Sequence, residues 1–144
     1  MILYRIILMM LRIHIEILVI EDNMTKQELF NLEKICHSFR KSYCENYQYR
    51  YIHYTSDLRG HCMEISEKFG LYLLENHNIE TQLVEGECYD CFHFWLEYGD
   101  YIIDLTIKQF ENQAGKELPL VLIKHKYFCG QYKGKFREEI KQLV

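Results

Sequence analysis

The sequence has very little proline and tryptophan, and it has no run of like charge and no long uncharged apolar stretch. Pro119 is the one proline and Trp95 the one tryptophan among 144 residues. Seventeen basic residues stand against 21 acidic residues, which gives a formal net charge of −4. With no basic run, the composition argues against a nucleic-acid partner. The longest uncharged apolar run near the N-terminus, residues 6–11, is too short for a membrane span.

What the sequence does contain is typical of one folded, globular domain. Hydrophobic residues make up 49% and charged residues 26%, so we expect a single domain over residues 1–144. A chain of this size and apolar content does not need disulfides, and no signal-peptide pattern is present. We therefore expect free thiols in a reducing cytoplasm, with delivery to another cell as an effector left open. The six cysteines are Cys36, Cys44, Cys62, Cys88, Cys91 and Cys129.

The first 23 residues are set apart from the rest by their apolar, isoleucine-rich character. Polar and apolar residues alternate from Arg12 to Ile17, which favours a strand. Residues 1–23 are then either an edge strand or an extension upstream of a domain that begins near Met24. An apolar edge strand would also offer a contact for a homodimer.

The remaining sequence, 25–144, predicts two helices followed by antiparallel strands, which is an α+β class. Thr25 and Glu28 form a capping box that opens the first helix, and a second helix begins near Cys62. Gly99-Asp100 predicts a tight turn between two strands. The predicted helices cover 25–44 and 62–78, the predicted strands 81–86, 91–98, 101–106 and 118–123, and the tail 135–144 is weakly helical.

The hairpin around Gly99-Asp100 brings a histidine and a carboxylate to one face. A two-residue loop pairs Tyr98 with Tyr101, so His93 and Asp104 become diagonal neighbours across the two strands. A change of one residue in the loop would move Asp104 to the opposite face. A carboxylate beside an imidazole fixes the histidine tautomer and stabilises its cation.

Cys62 stands in the first turn of a predicted helix, where the helix dipole and free N–H groups favour a thiolate. A nearby His93 would lower the pKa of this thiol further. Free backbone donors at the helix N-terminus would also stabilise an oxyanion. Together, Cys62, His93 and Asp104 supply the groups that acyl transfer from an amide requires.

These residues resemble the papain-like superfamily, in particular its transglutaminase-like branch. Gly60-x-Cys62 opens a helix, His93-x-Trp95 lies on a strand, and Asp104-Leu-Thr106-x-x-Gln109-Phe110 follows on the next strand. The last of these motifs is similar to small bacterial and phage proteins of the superfamily. The resemblance covers residues 58–110.

The resemblance implies a minimal fold in which the catalytic cysteine begins a helix packed on an antiparallel sheet that carries the histidine and the aspartate. It implies Cys62 as nucleophile, His93 as base and Asp104 as orienting acid, with a protein or peptide substrate and no cofactor. A papain-type glutamine is missing between Tyr49 and Cys62, so an aromatic donor such as Tyr51 or Tyr54 would replace it. Trp95 and Tyr54 are the candidate substrate-binding residues.

We therefore expect a cysteine-dependent amide hydrolase, a peptidase or glutamine deamidase that forms a thioester. Transglutaminase-type transfer to an amine remains an alternative. A second is a zinc deaminase or metal-binding module, because Cys62-x-Glu64 followed by Cys88-x-x-Cys91 resembles a deaminase signature. His93 cannot both bind zinc and act as base, and we assign no metal ligand. A third alternative is a non-catalytic binding protein on the same fold.

Overall fold

The computed structural model describes residues 1–21 and 24–144, with side chains described outside residues 15–21. Within these residues, four α-helices and five β-strands follow one another, which is the α+β class that the sequence predicts. The helices are α1 (Ile2–Glu21), α2 (Lys26–Glu45), α3 (Cys62–His77) and α4 (Glu111–Ala114). The strands are β1 (Gln82–Cys88), β2 (Cys91–Tyr98), β3 (Tyr101–Asp104), β4 (Leu122–His125) and β5 (Tyr132–Glu139).

The five strands form one antiparallel sheet in the order β4-β3-β2-β1-β5. Two short hairpins, β1–β2 and β2–β3, build its centre. The β2–β3 hairpin pairs Tyr98 with Tyr101 and Leu96 with Ile103, which is the register expected from the Gly99-Asp100 turn. β5 returns from the C-terminal part of the chain and pairs with β1, so the last strand forms the edge of the sheet opposite β4.

Helices α2 and α3 pack against one face of the sheet. The Thr25 hydroxyl accepts a hydrogen bond from the Glu28 backbone N–H at 3.1 Å, as the capping box predicts. α3 brings Ile65, Phe69 and Leu73 to the core at helical spacing, and all three are fully buried. This packing fixes α3 above β2 and brings its first residue, Cys62, against the Phe94 backbone of β2.

A second core cluster lies on the other face of the sheet. It is centred on Trp95, which is packed edge-on against Tyr132 with ring centroids 5.0 Å apart. Gly86 lies beneath the Trp95 ring, where a β-carbon would overlap both the ring and the backbone of β5. Glycine at this position lets β1, β5 and the indole approach closely.

Of the two interpretations of residues 1–23, edge strand or upstream extension, the edge strand is wrong, because Ile2–Glu21 form helix α1. Alternation over only six residues is a weak indication of a strand. The 20-residue segment contains no proline or glycine, so i to i−4 backbone hydrogen bonds can form along its whole length. The orientation of the Ile15, Glu16 and Ile17 side chains lies outside the described residues, as does the structure of residues 22–23. The homodimer contact that the strand would have offered therefore loses its structural basis.

α1 exposes large apolar side chains along its described length, including Ile2 at 78% and Met10 at 62%. Even so, among the residues that the structure describes, no helix combines the length and apolarity needed to cross a membrane.

Two further expectations differ from the structure. The tail is not helical over residues 135–144, because β5 runs to Glu139 and only a short 3₁₀ turn, Ile140–Leu143, follows. The predicted strand over 118–123 begins later, at Leu122, since Pro119 offers no N–H to a ladder. β4 is nevertheless an edge strand, as the proline indicates.

Candidate active site

The hairpin brings His93 and Asp104 together in the interior. His93 lies on β2 and Asp104 is the last residue of β3. His93 Nε2 is 2.8 Å from Asp104 Oδ2, and both side chains are 0% exposed. The predicted diagonal contact between the two residues is therefore present.

Asp104 is held by four hydrogen bonds. Oδ2 accepts from His93 Nε2 and, at 2.7 Å, from the Tyr132 hydroxyl. Oδ1 accepts from the Thr106 backbone N–H at 2.8 Å and from the Thr106 hydroxyl at 3.2 Å. Burial alone would raise the pKa of Asp104, but the charge of His93 and these hydrogen bonds lower it. The site thus contains an ionised carboxylate fixed in one orientation.

The same pair makes His93 a strong base. Burial alone would lower the pKa of His93, but the negative charge and hydrogen bond of Asp104, followed by the interaction with Cys62, raise it from 6.5 to about 9. The ring lies edge-on to Phe110, with centroids 4.8 Å apart, and is stacked on Trp95 at 5.9 Å. These aromatic neighbours exclude water and hold the imidazole plane.

Cys62 is the first residue of α3 and is partly exposed. Burial tends to raise the pKa of its thiol, but the interaction with His93 and a hydrogen bond from the Phe94 backbone outweigh burial, so the pKa is lowered. Nε2 is bound to Asp104, which leaves Nδ1 as the ring nitrogen for the thiol.

The contact between Cys62 and His93 is loose. Within the described part of the chain, His93 Nδ1 has no hydrogen-bond partner. The thiol nevertheless lies close enough to the ring to change the pKa of both groups. A long contact of this kind is compatible with catalysis, because thiol hydrogen bonds are long and catalytic contacts often tighten only when a substrate binds.

The start of α3 leaves its first N–H groups available. The N-cap residue of this helix, His61, makes no capping hydrogen bond through its side chain, in contrast to Thr25 of α2. The first turn of a helix has no intrahelical partners for its N–H groups, so Cys62 lies beside a set of backbone donors. Immediately upstream, Leu58 has a positive φ of 53° and is 1% exposed, a strained conformation that burial of its side chain maintains.

The two predicted substrate-binding residues lie in different environments. Trp95 is 1% exposed and packs behind His93, so in this arrangement it supports the histidine from the core and does not reach the surface. Tyr54 is 45% exposed, stacks on His53 and lies near Lys41, whose Nζ is 5.9 Å from the ring centroid. Tyr51 is 72% exposed.

Sequence reasoning missed two residues that organise the site. Tyr132 reaches Asp104 from β5, and no local motif pointed to it. Arg40, 1% exposed in α2, donates through its guanidinium to the backbone oxygens of Leu105, Tyr54 and Ser56. It therefore ties α2 both to the segment after Asp104 and to the loop that leads to Cys62. The sequence signal that could have indicated its burial is the helical spacing of Arg40 from Cys36, Tyr43 and Cys44, which are all buried.

The other cysteines occupy different positions. Cys88 and Cys91 face each other across the turn of the β1–β2 hairpin, so neither begins a helix as the deaminase signature requires. Burial raises the pKa of the Cys88, Cys129 and Cys36 thiols. Among the described residues, no group of histidine, cysteine and carboxylate side chains is arranged to hold a metal ion.

Comparison with protein-family models, with curated proteins and with solved structures gave no significant match. The resemblance to papain-like and transglutaminase-like proteins accordingly depends on the motif residues of this chain alone.

Proposed function

We propose that the protein is a cysteine-dependent amide hydrolase, a peptidase or glutamine deamidase with a minimal papain-like or transglutaminase-like arrangement. The observation that carries the proposal is the buried His93–Asp104 pair beside Cys62. Perturbed groups of this kind concentrate at functional sites, and here three of them meet at a helix N-terminus. Cys62 also differs from the buried cysteines in that its thiol pKa is lowered.

The first half of the reaction forms a thioester. The Cys62 thiolate attacks the amide carbonyl carbon, and the charge that develops on oxygen meets the N–H groups of the first turn of α3. The C–N bond breaks as His93 gives its Nδ1 proton to the leaving nitrogen. An amine or ammonia departs, and the acyl group stays on sulfur.

The second half regenerates the site. Neutral His93 takes a proton from water, and the resulting hydroxide equivalent attacks the thioester carbonyl. The C–S bond breaks, releasing a carboxylic acid and a Cys62 thiolate beside a protonated His93. Asp104 stays ionised throughout and stabilises the imidazolium in both steps.

A product assay tests the proposal and separates hydrolysis from transfer. The full chain is incubated with peptides that contain internal glutamine, with and without a primary amine, and products are identified by mass spectrometry. A cleaved peptide or a gain of carboxylate that is absent in Cys62→Ala supports hydrolysis. An amine adduct formed in preference to the acid would identify a transferase, and equal products from Cys62→Ala would rule out both.

A further inference from the structure

A groove on the sheet face over β1, β2 and β5 has aromatic walls and two acidic side chains. Glu85 of β1 pairs with Phe94 of β2 on one side and with Phe136 of β5 on the other. Directly paired residues of antiparallel strands point to the same face, so these three side chains form a row across the sheet. The next row pairs Leu83 with Glu138, and the two rows line a cavity of ≈ 330 Å³.

The carboxylates of this groove lack compensating charge. In the described part of the chain, the carboxylates of Glu85 and Glu138 have no hydrogen bond or ion pair. By contrast, Glu87 is paired with Lys135 at 2.9 Å. Arg137 also lines the cavity, but its guanidinium is already bound to Glu97 at 3.1 Å. The groove therefore presents two carboxylates without a counter-ion.

The groove and the candidate active site meet at Phe94, although the residues that line the groove do not include Cys62 or His93. The backbone of Phe94, one of the aromatic walls, hydrogen bonds to Cys62. Phe136, the other wall, is 68% exposed, although an aromatic ring is costly to leave in water. A molecule with a side chain seated between Phe94 and Phe136 would therefore pass close to Cys62.

We propose that this groove binds a lysine or arginine side chain of the peptide or protein on which Cys62 acts, an assignment that rests on the proposed function. The apolar stem of such a side chain packs between the two phenylalanine rings. Its cationic end pairs with Glu85 and Glu138 and lies against aromatic faces, which favours a cation over a neutral group of the same shape. An acidic side chain in the same place would be repelled.

A binding experiment tests the groove without depending on catalysis. The full-length Cys62→Ala variant is titrated with two fluorescent peptides that differ only in carrying lysine or acetyl-lysine. We expect the lysine peptide to bind about five- to tenfold more tightly, the effect of one charge pair with aromatic contact. Glu85→Gln and Phe136→Ala should each remove most of that preference. Glu75→Gln, with the same charge change at an exposed position on α3, should retain it.

The outcomes test the groove assignment and the reactivity of Cys62 independently. Equal binding of the two peptides, or a preference that Glu85→Gln leaves intact, overturns the groove assignment whatever Cys62 does. Alkylation of Cys62 by iodoacetamide, a reagent without a basic group, should be the same in wild type and Glu85→Gln. If Cys62 reacts no faster than the other thiols in both proteins, the hydrolase proposal fails, and with it the assignment of the bound peptide as a substrate.

Discussion

Replacing Asp104 with asparagine should remove the negative charge that faces His93 while leaving the side-chain volume almost unchanged. Asp104 Oδ2 accepts hydrogen bonds from His93 and from Tyr132, at 2.8 and 2.7 Å. An amide has only one acceptor atom, so at least one present donor would face an NH₂ group. The negative charge that favours the imidazolium is also lost.

The magnitude follows from the His93 pKa. That pKa is raised from 6.5 to about 9 even though burial opposes the increase. At about 1.4 kcal/mol per pKa unit, the imidazolium is stabilised by about 3–4 kcal/mol, and most of this comes from Asp104. Asp104 also repels a Cys62 thiolate directly, but the effect of His93 on the thiol is larger. Loss of Asp104 should therefore raise the pKa of Cys62.

The assay is the pH dependence of Cys62 alkylation by iodoacetamide, followed peptide by peptide with mass spectrometry. We expect wild-type Cys62 to react readily at pH 6, and Asp104→Asn to be slower there by about tenfold or more, with the difference closing as pH rises. Asp100→Asn, in the exposed turn of the same hairpin, is the control and should behave like wild type. An unchanged pH profile in Asp104→Asn would refute the reasoning.

Three further predictions concern stability. Tyr132→Phe removes a hydroxyl buried against the Asp104 carboxylate and should cost about 1–3 kcal/mol in urea unfolding, whereas no loss would show that the bond is dispensable. The folded-state pKa of His93 lies above its unfolded value, so its contribution to stability is complete below pH 6.5 and disappears as pH rises through about 9. The difference in unfolding free energy between wild type and Asp104→Asn should thus be larger at pH 6 than at pH 9.5, and the opposite trend would contradict the sign. Gly86→Ala should cost about 2 kcal/mol or more because its β-carbon overlaps the backbone of β5, whereas Gly130→Ala, with open space around it, should be nearly neutral in thermal unfolding.

The parts of the structure that depend on nearby residues could be predicted from the sequence. The Thr25 cap, the start of α3 at Cys62 and the register of the β2–β3 hairpin each follow from a few adjacent residues. The hairpin register mattered most, because it alone decides whether His93 and Asp104 share a face. The coarse α+β class and the His93–Asp104 contact were predictable for this reason.

The parts that depend on distant residues could not be predicted. Tyr132 reaches Asp104 only because β5 pairs with β1, and nothing near Tyr132 in the sequence signals that pairing. Arg40 looks like a solvent-exposed helix residue until the loop before Cys62 folds over it and supplies carbonyl acceptors. At the N-terminus, polar and apolar residues alternate over only six positions, and this pattern was too short to predict the conformation of the 20-residue helix α1.

Direct capture of the thioester tests the central claim, that Cys62 is the nucleophile of an amide hydrolase. The native chain is mixed with a library of peptide amides, quenched in acid, digested and searched for acyl adducts by mass spectrometry. The account predicts adducts on Cys62 that hydroxylamine removes and that are absent from Cys62→Ala, while His93→Gln forms them much more slowly. Adducts confined to another cysteine such as Cys91, or amide cleavage that persists in Cys62→Ala, would contradict it.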